Sequence, residues 1–433
     1  MPMQQQRRLT LKAAMSLGAF ACSAPYLRAQ ILSKAETQSS GRLVLVFLRG
    51  AYDGLSMLVP HGDPNYAVIR PNISIPKPDG TALTALKLDD VFGLHPSCAS
   101  LLPLWQQGVL AAIPCAGSPD SSRSHFDAQY HWETGKPGIS ATSSGWMNVL
   151  SGMLDPTSAT GASGVANGNS LISAIGVGES SPKILSGPHK VQLVGNGNSA
   201  TRPGSLAESK TRDAVLQLYA SDANLANAML DGSSSRMKTA EMLKPKPATG
   251  MVGEQQAANN GAGAPQGLAL DAKNLGTLMR QNRDLRLGFL SAGGWDTHIN
   301  QGGVSGQLAN NLQNLSRTLL QLREAFNEPR DVVVVASEFG RTCAENGTRG
   351  TDHGHGNVMW LMGNGVNGGK WHGQWDGLAK VKLNEGRDLP VHHDFRAVFA
   401  QTLVNALGLT PSQTEHLFQG ARWDASLNSL FKA

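Results

Sequence analysis

A doubly wound α/β protein, with a mostly parallel sheet flanked by helices, is the fold class this sequence predicts. Three observations predict it. Short all-apolar runs such as "LVLVFL" and "VVVVA" lack polar alternation, which marks strands buried on both faces. Amphipathic helical stretches separate those runs. The same rhythm stands on both sides of a Ser-, Gly-, Ala- and Asn-rich segment at about residues 137–265, so one domain with a helical, loop-rich insertion or cap accounts for both halves.

In chain order, "QRRLTLKAAMSLGAFACSAPYLRAQ" carries paired arginines, a short apolar stretch from Ala13 to Ala24 and a small residue at Ala29. It resembles a twin-arginine export signal over residues 1–29, and the bland alternative is an amphipathic first helix. The apolar run is too short to span a bilayer. Such a signal implies the twin-arginine export machinery as a partner and a periplasmic or secreted protein. That route carries folded proteins, often with a metal already in place. Residues 30–41 read as a linker, and 42–433 as the single domain.

The first strand is "RLVLVFLRGAYDG", ending at Asp53. Residues 97–107 read as a helix and "GVLAAIPCAG" as the second strand. In "SRSHFDAQYHWETG" the serines offer an N-cap and Gly135 a stop, which predicts a helix. Within the insertion, residues 205–242 have helical patterning. Beyond it come the strand "LRLGFLSAGG", an amphipathic helix over 303–327, the strands "DVVVVASEFG" and "NVMWLMGNGV", and the helix "DFRAVFAQTLVNALG".

Charge excludes some functions. Of 37 Lys and Arg, four lie in residues 1–29, leaving 33 against 32 Asp and Glu. So balanced a body points away from a nucleic-acid or anionic-membrane binder. Three cysteines follow the signal, Cys98, Cys115 and Cys343, in no zinc-framework spacing. A Cys98–Cys115 pair stays open.

Ligands of doubly wound sheets bind at the carboxyl ends of the strands. There the sequence places Asp53; Ser121, Ser122 and Ser124; Asp296 and His298; Glu338 and Arg341; and, in "GTDHGHGN", Asp352, His353 and His355. Each has an ordinary reading as turn or cap. Together, carboxylates and imidazoles suit a divalent metal, zinc, manganese or iron. A serine at a helix N-terminus can cap the helix or, near a metal, act as a nucleophile toward an anionic ester.

The order of these features resembles the alkaline-phosphatase-like superfamily. "FLRGAYDG", "GLHPSCASLLPLWQQG", "RSHFDAQYHWETG", "GGWDTH", "SEFGRT" and "TDHGHG" look like an exported bacterial family catalogued as domain of unknown function 1501. The resemblance runs over about residues 42–410. It implies a hydrolase of phosphate or sulfate esters with one or two metal ions. By position, Asp53, Asp296, His298, Glu338 and His353 would be metal ligands, and Asp352 a ligand or an orienter. Ser124, with Ser122 second, would be the nucleophile, and Arg341 or Arg123 would steady the anion. The usual Asp-x-x-x-His is here Asp296-Thr-His298, Glu338-Phe stands for an Asp-His pair, and no sulfatase Cys/Ser-x-Pro-x-Arg surrounds the serines. The partner expected is an anionic ester, small or polymeric. The alternative is a catalytically quiet relative that binds an envelope polymer or a partner protein.

Overall fold

In the computed structural model, residues 41–139, 141–155, 171–202, 205–219, 222–243 and 262–433 are described. The expected export signal at 1–29 and most of the expected linker lie outside them.

Eight strands form the main sheet. They are β1 (Leu43–Leu48), β2 (Leu110–Gly117), β3 (Ala174–Val177), β4 (Gln192–Val194), β5 (Leu287–Ala292), β6 (Val332–Ala336), β7 (Asn357–Met362) and β8 (His393–Asp394). Their order is β8-β2-β7-β6-β1-β5-β3-β4. Central β1 runs parallel to both β5 and β6. One strand departs from the rule: β7 is antiparallel to both β2 and β6.

The apolar run of β1 divides between two cores because successive side chains leave opposite faces of a strand. Val44, Val46 and Leu48 join one core with α5 (Leu268–Gln281) and α6 (Gln307–Ala325). Leu43, Leu45 and Phe47 join the other, with α1 (His125–Thr134), α2 (Trp146–Met153) and α7 (Phe395–Leu407). Along α6 the buried leucines fall at 308, 312, 315, 319 and 322, one stripe at helical spacing. On the opposite face Trp132 of α1 stacks on Phe395 of α7, centroids 4.3 Å apart.

The segment expected as an insertion or cap is partly built into the sheet. β3 pairs with β5 and β4 with β3, both in parallel, so they extend the sheet by two strands. Of its helices, α3 (Ser209–Leu218) and α4 (Ala223–Met242), α4 packs against β4, where Gln192 Nε2 donates to Thr239 Oγ1 at 2.7 Å. The sequence hid the two strands because they are four and three residues long within a segment rich in small polar residues. Among the described residues Cys98, Cys115 and Cys343 are free and buried, so Cys98 and Cys115 form no disulfide. No helix among the described residues is long and apolar enough to cross a membrane.

Candidate metal centre

All the loops that carry the chemistry meet at one edge of the sheet. β1, β2, β5 and β6 reach that edge with their carboxyl ends. Antiparallel β7 reaches it with its amino end, so "GTDHGHGN", which precedes β7, faces loops that follow the other strands. The stretch is pinned on both sides. His353 bridges Arg341 in an antiparallel pair, and the Thr342 amide donates to the Asp352 carbonyl at 2.9 Å. On the other side the Thr351 amide donates to the Thr297 carbonyl at 3.1 Å. Its glycines let the strands touch: a Cβ on Gly354 would sit 2.5 Å from Arg341 backbone, closer than real Cβ atoms come.

Three imidazoles and one carboxylate converge there. His125 Nε2 lies 3.0 Å from His353 Nε2, which lies 3.0 Å from His298 Nε2. Asp296 Oδ1 is 2.9 Å from His298 Nε2, 3.4 Å from His353 Nε2 and 3.6 Å from His125 Nε2. A tetrahedral ion with bonds of zinc length separates its ligand atoms by about 3.3 Å. These five separations bracket that value; the set whose ligand atoms all lie within 4.8 Å of one another is His125, Asp296 and His353, with His298 adjoining the last two.

The outer nitrogens fix which atoms face inward. His125 Nδ1 meets Glu338 Oε1 at 2.7 Å, His353 Nδ1 the Arg123 carbonyl at 2.8 Å, and His298 Nδ1 Asp352 Oδ1 at 3.1 Å. A carboxylate and a carbonyl only accept, so in each neutral ring Nδ1 carries the proton and Nε2 presents a lone pair. Three lone pairs and a carboxylate oxygen then point at one another, an arrangement that a cation relieves. Imidazoles tied outward to carboxylate or carbonyl are what metal-binding histidines show. The residues fit a divalent ion.

Electrostatics agree. Burial opposes ionisation of Asp296, but hydrogen bonds from His125 and His353 and the charges of Arg341 and His298 hold its pKa far below the usual range. Burial works against a charge on His125 too. Hydrogen bonds and charge from Asp296 and Glu338 outweigh it and lift the pKa from 6.5 to about 9 with no cation present. The pocket that attracts a proton in this way attracts a metal ion for the same reason.

Glu338 and Asp53, expected as ligands, stand elsewhere. Fully buried Glu338 accepts from the Gly50 amide at 2.8 Å and Gln129 Nε2 at 2.9 Å, as well as from His125, so it orients that imidazole from behind. Burial disfavours its charge, yet His125 and Gln129 keep its pKa lowered. Asp53 is clamped by Arg70, with Nη1 at 2.6 Å and Nη2 at 3.1 Å, and also accepts from Ser56 Oγ at 2.7 Å and Gln301 Nε2 at 2.7 Å. A guanidinium thus occupies the place where a cation would neutralise Asp53. Gln301 passes this on: its Oε1 accepts from Thr297 and Thr351, both at 2.8 Å, beside Asp296 and Asp352.

The other expected residues divide as follows. Arg341 donates to Asp296 Oδ1 at 2.7 Å, while its Nε and Nη1 are buried without a hydrogen-bond partner. Asp352 holds His298 and accepts from Asn346 Nδ2 at 2.9 Å. Ser124 is the N-cap of α1, with Oγ accepting from the Asp127 amide at 3.4 Å, and Ser122 Oγ accepts from the Ser124 amide at 3.3 Å. Ser121 is exposed. Arg123 pairs with Glu385 and Asp388, and His355 Nε2 meets the Ser118 carbonyl at 2.9 Å. His125, Arg70, Gln129 and Gln301 are absent from the sequence-derived set. A signal existed for His125, the first helical residue after Ser124 at a strand's carboxyl end. None existed for the other three, whose partners are distant in sequence.

Fold and site together define an α/β protein with a three-histidine, one-aspartate cluster at the carboxyl edge of its sheet. By sequence the chain belongs to the family described as Protein of unknown function (DUF1501), matched over residues 40–425. No curated protein matches it. Among solved structures it is similar to Ps i-CgsB in complex with k-i-k-neocarrahexaose, at 12% identity over 87% of this chain and 74% of that one, TM-score 0.38. It is also similar to the alkaline phosphatase of the Antarctic bacterium TAB5, at 12% identity over 76% and 93%, TM-score 0.32. Superpositions this partial say nothing about activity.

Proposed function

We propose that this protein is an exported, metal-dependent hydrolase of phosphate or sulfate esters, built around a single divalent ion of the zinc, manganese or iron kind. The observation that carries this reading is the convergence of His125 and His353 Nε2 with Asp296 Oδ1, with His298 Nε2 beside the last two and each imidazole proton tied outward. A single ion follows from Asp53, whose carboxylate is already neutralised by Arg70. When bound, the ion would supply Lewis-acid polarisation of the ester.

The chain's own residues supply the rest. Buried Arg341 keeps two unpartnered donors beside Asp296, suited to the oxygens of an anion. α1 turns its N-terminus, the end that favours anions, toward the cluster through His125. Ser124 immediately precedes that ligand and is assigned as nucleophile. Its Oγ would form the new bond to phosphorus or sulfur as the ester oxygen leaves, with the hydroxyl proton passing to the departing alcohol. Water would then release the serine ester.

Metal analysis of purified protein together with turnover of aryl phosphates and sulfates tests the reading. About one ion per chain is expected, lost in Asp296→Ala and His125→Ala. Ser124→Ala should keep the metal and lose turnover; turnover that survives would transfer the attack to water. Folded, metal-loaded protein inert on every ester would leave a binding protein instead. Export is tested separately: Arg7→Lys with Arg8→Lys should retain the protein in the cytoplasm, and undiminished export would remove the twin-arginine assignment.

A further inference from the structure

A second polar site lies along the same edge of the sheet. A cavity of about 240 Å³ opens where β1, β3 and β5 end, lined by Arg49, Ser180, Ser181, Lys183, Ser186 and Ser291 among others. No Asp or Glu lines it. Ser291 is the one polar side chain of "LGFLSA" and the one residue of β5 that is not buried, so the strand opens to this space. Lys183 forms no ion pair among the described residues. Its Nζ donates to the Ser143 carbonyl at 2.9 Å and lies 5.4 Å from the Tyr130 ring centroid.

Arg49 supplies the second observation. Its side chain is 1% exposed and pairs with Glu133 Oε1 at 2.7 Å through Nη2 and with Gln129 Oε1 at 2.5 Å through Nη1. Its Nε is buried with no hydrogen-bond partner. A buried unpaired donor is costly, most of all on a charged group. Gln129 also donates to Glu338, the carboxylate behind His125. The cavity is therefore joined to the proposed metal centre by a short chain of buried hydrogen bonds.

We propose that this cavity is a recognition subsite for a second anionic group, a sulfate or phosphate borne away from the scissile bond. The substrate is then an ester with at least two anionic groups. The ammonium of Lys183 supplies the charge, and the serine hydroxyls adaptable donors to anion oxygens. This assignment rests on the hydrolase reading for its substrate but not for its binding.

Titration of the full-length protein with inorganic sulfate, and separately with inorganic phosphate, tests the subsite by calorimetry. Lys183→Ala and Ser291→Val should each weaken binding of the preferred anion at least ~10-fold, about 1.4 kcal/mol, with Lys183→Arg restoring most of it. Arg341→Gln, which removes a donor at the metal centre, should leave this binding in place. For an ester with two anionic groups, Lys183→Ala should raise KM without lowering kcat, and a singly anionic aryl ester should be unaffected. Wild-type protein that binds neither anion, or binding unchanged in Lys183→Ala and Ser291→Val, would overturn the subsite. Loss of binding in these variants beside a wild type inert on all esters would retain the subsite and remove the hydrolase.

Discussion

His125 is the residue on which charge, proton and metal compete. With its pKa lifted from 6.5 to about 9, it is protonated at neutral pH in metal-free protein. The sign follows directly. That proton's contribution to stability is complete below the unfolded value of 6.5 and is lost as pH rises through about 9. Binding an ion must displace the same proton, so metal affinity should climb with pH up to about 9 and then level off, as metal titrations at successive pH values would show. An affinity flat between pH 6 and 9 would contradict the protonation at His125. Glu338→Gln should weaken metal binding about 10–100-fold by loosening the His125 imidazole, with the far-UV circular dichroism spectrum unchanged.

At the scale of elements, the turn leaving β1 brings the first strand to the site. Gly50 has φ +108°, and a Cβ there would lie 2.7 Å from the Asp296 amide nitrogen, while the Gly50 amide holds Glu338. Gly50→Ala therefore both strains the turn and pushes on the loop that carries Asp296. A loss of about 1–3 kcal/mol in urea unfolding is expected, together with weaker metal retention. Unchanged metal content would show that the Asp296 loop yields without moving its carboxylate. The helix α1 was legible because Ser124 at one end and left-handed Gly135 at the other are ordinary start and stop signals. The strands β3 and β4 were not, since three or four residues carry no periodicity that outweighs their surroundings.

Across the whole molecule, the Asp53–Arg70 pair ties β1 to the loops of the site. Both side chains are almost wholly buried, 1% and 0% exposed, and Arg70 also donates to the Thr342 and Cys343 carbonyls. Burial raises the Asp53 pKa, but Arg70, Ser56 and Gln301 bring it below the usual value, so the pair is charged. Arg70→Met leaves a buried carboxylate without its counter-ion and should destabilise the fold by about 3–5 kcal/mol in chemical denaturation. Metal content should stay at one ion per chain. A second ion bound in that variant would show that Asp53 is a ligand displaced by Arg70, and that the centre is built for two.

Amino-acid order alone determined the five longer buried strands, the helices between them and the edge at which polar residues gather, because periodicity and capping are local properties. It also nominated Asp296, His298 and His353, which lie beside recognisable strand ends. Tertiary structure decided what each polar group does. Glu338 and Asp53 look alike from their strands, yet one faces the back of His125 and the other a guanidinium supplied by Arg70. The antiparallel course of β7 likewise decided that a loop preceding a strand joins loops that follow strands. A carboxylate's role is set by which charge stands opposite it, and that partner lies 17 residues from Asp53 and 213 from Glu338, beyond any local pattern.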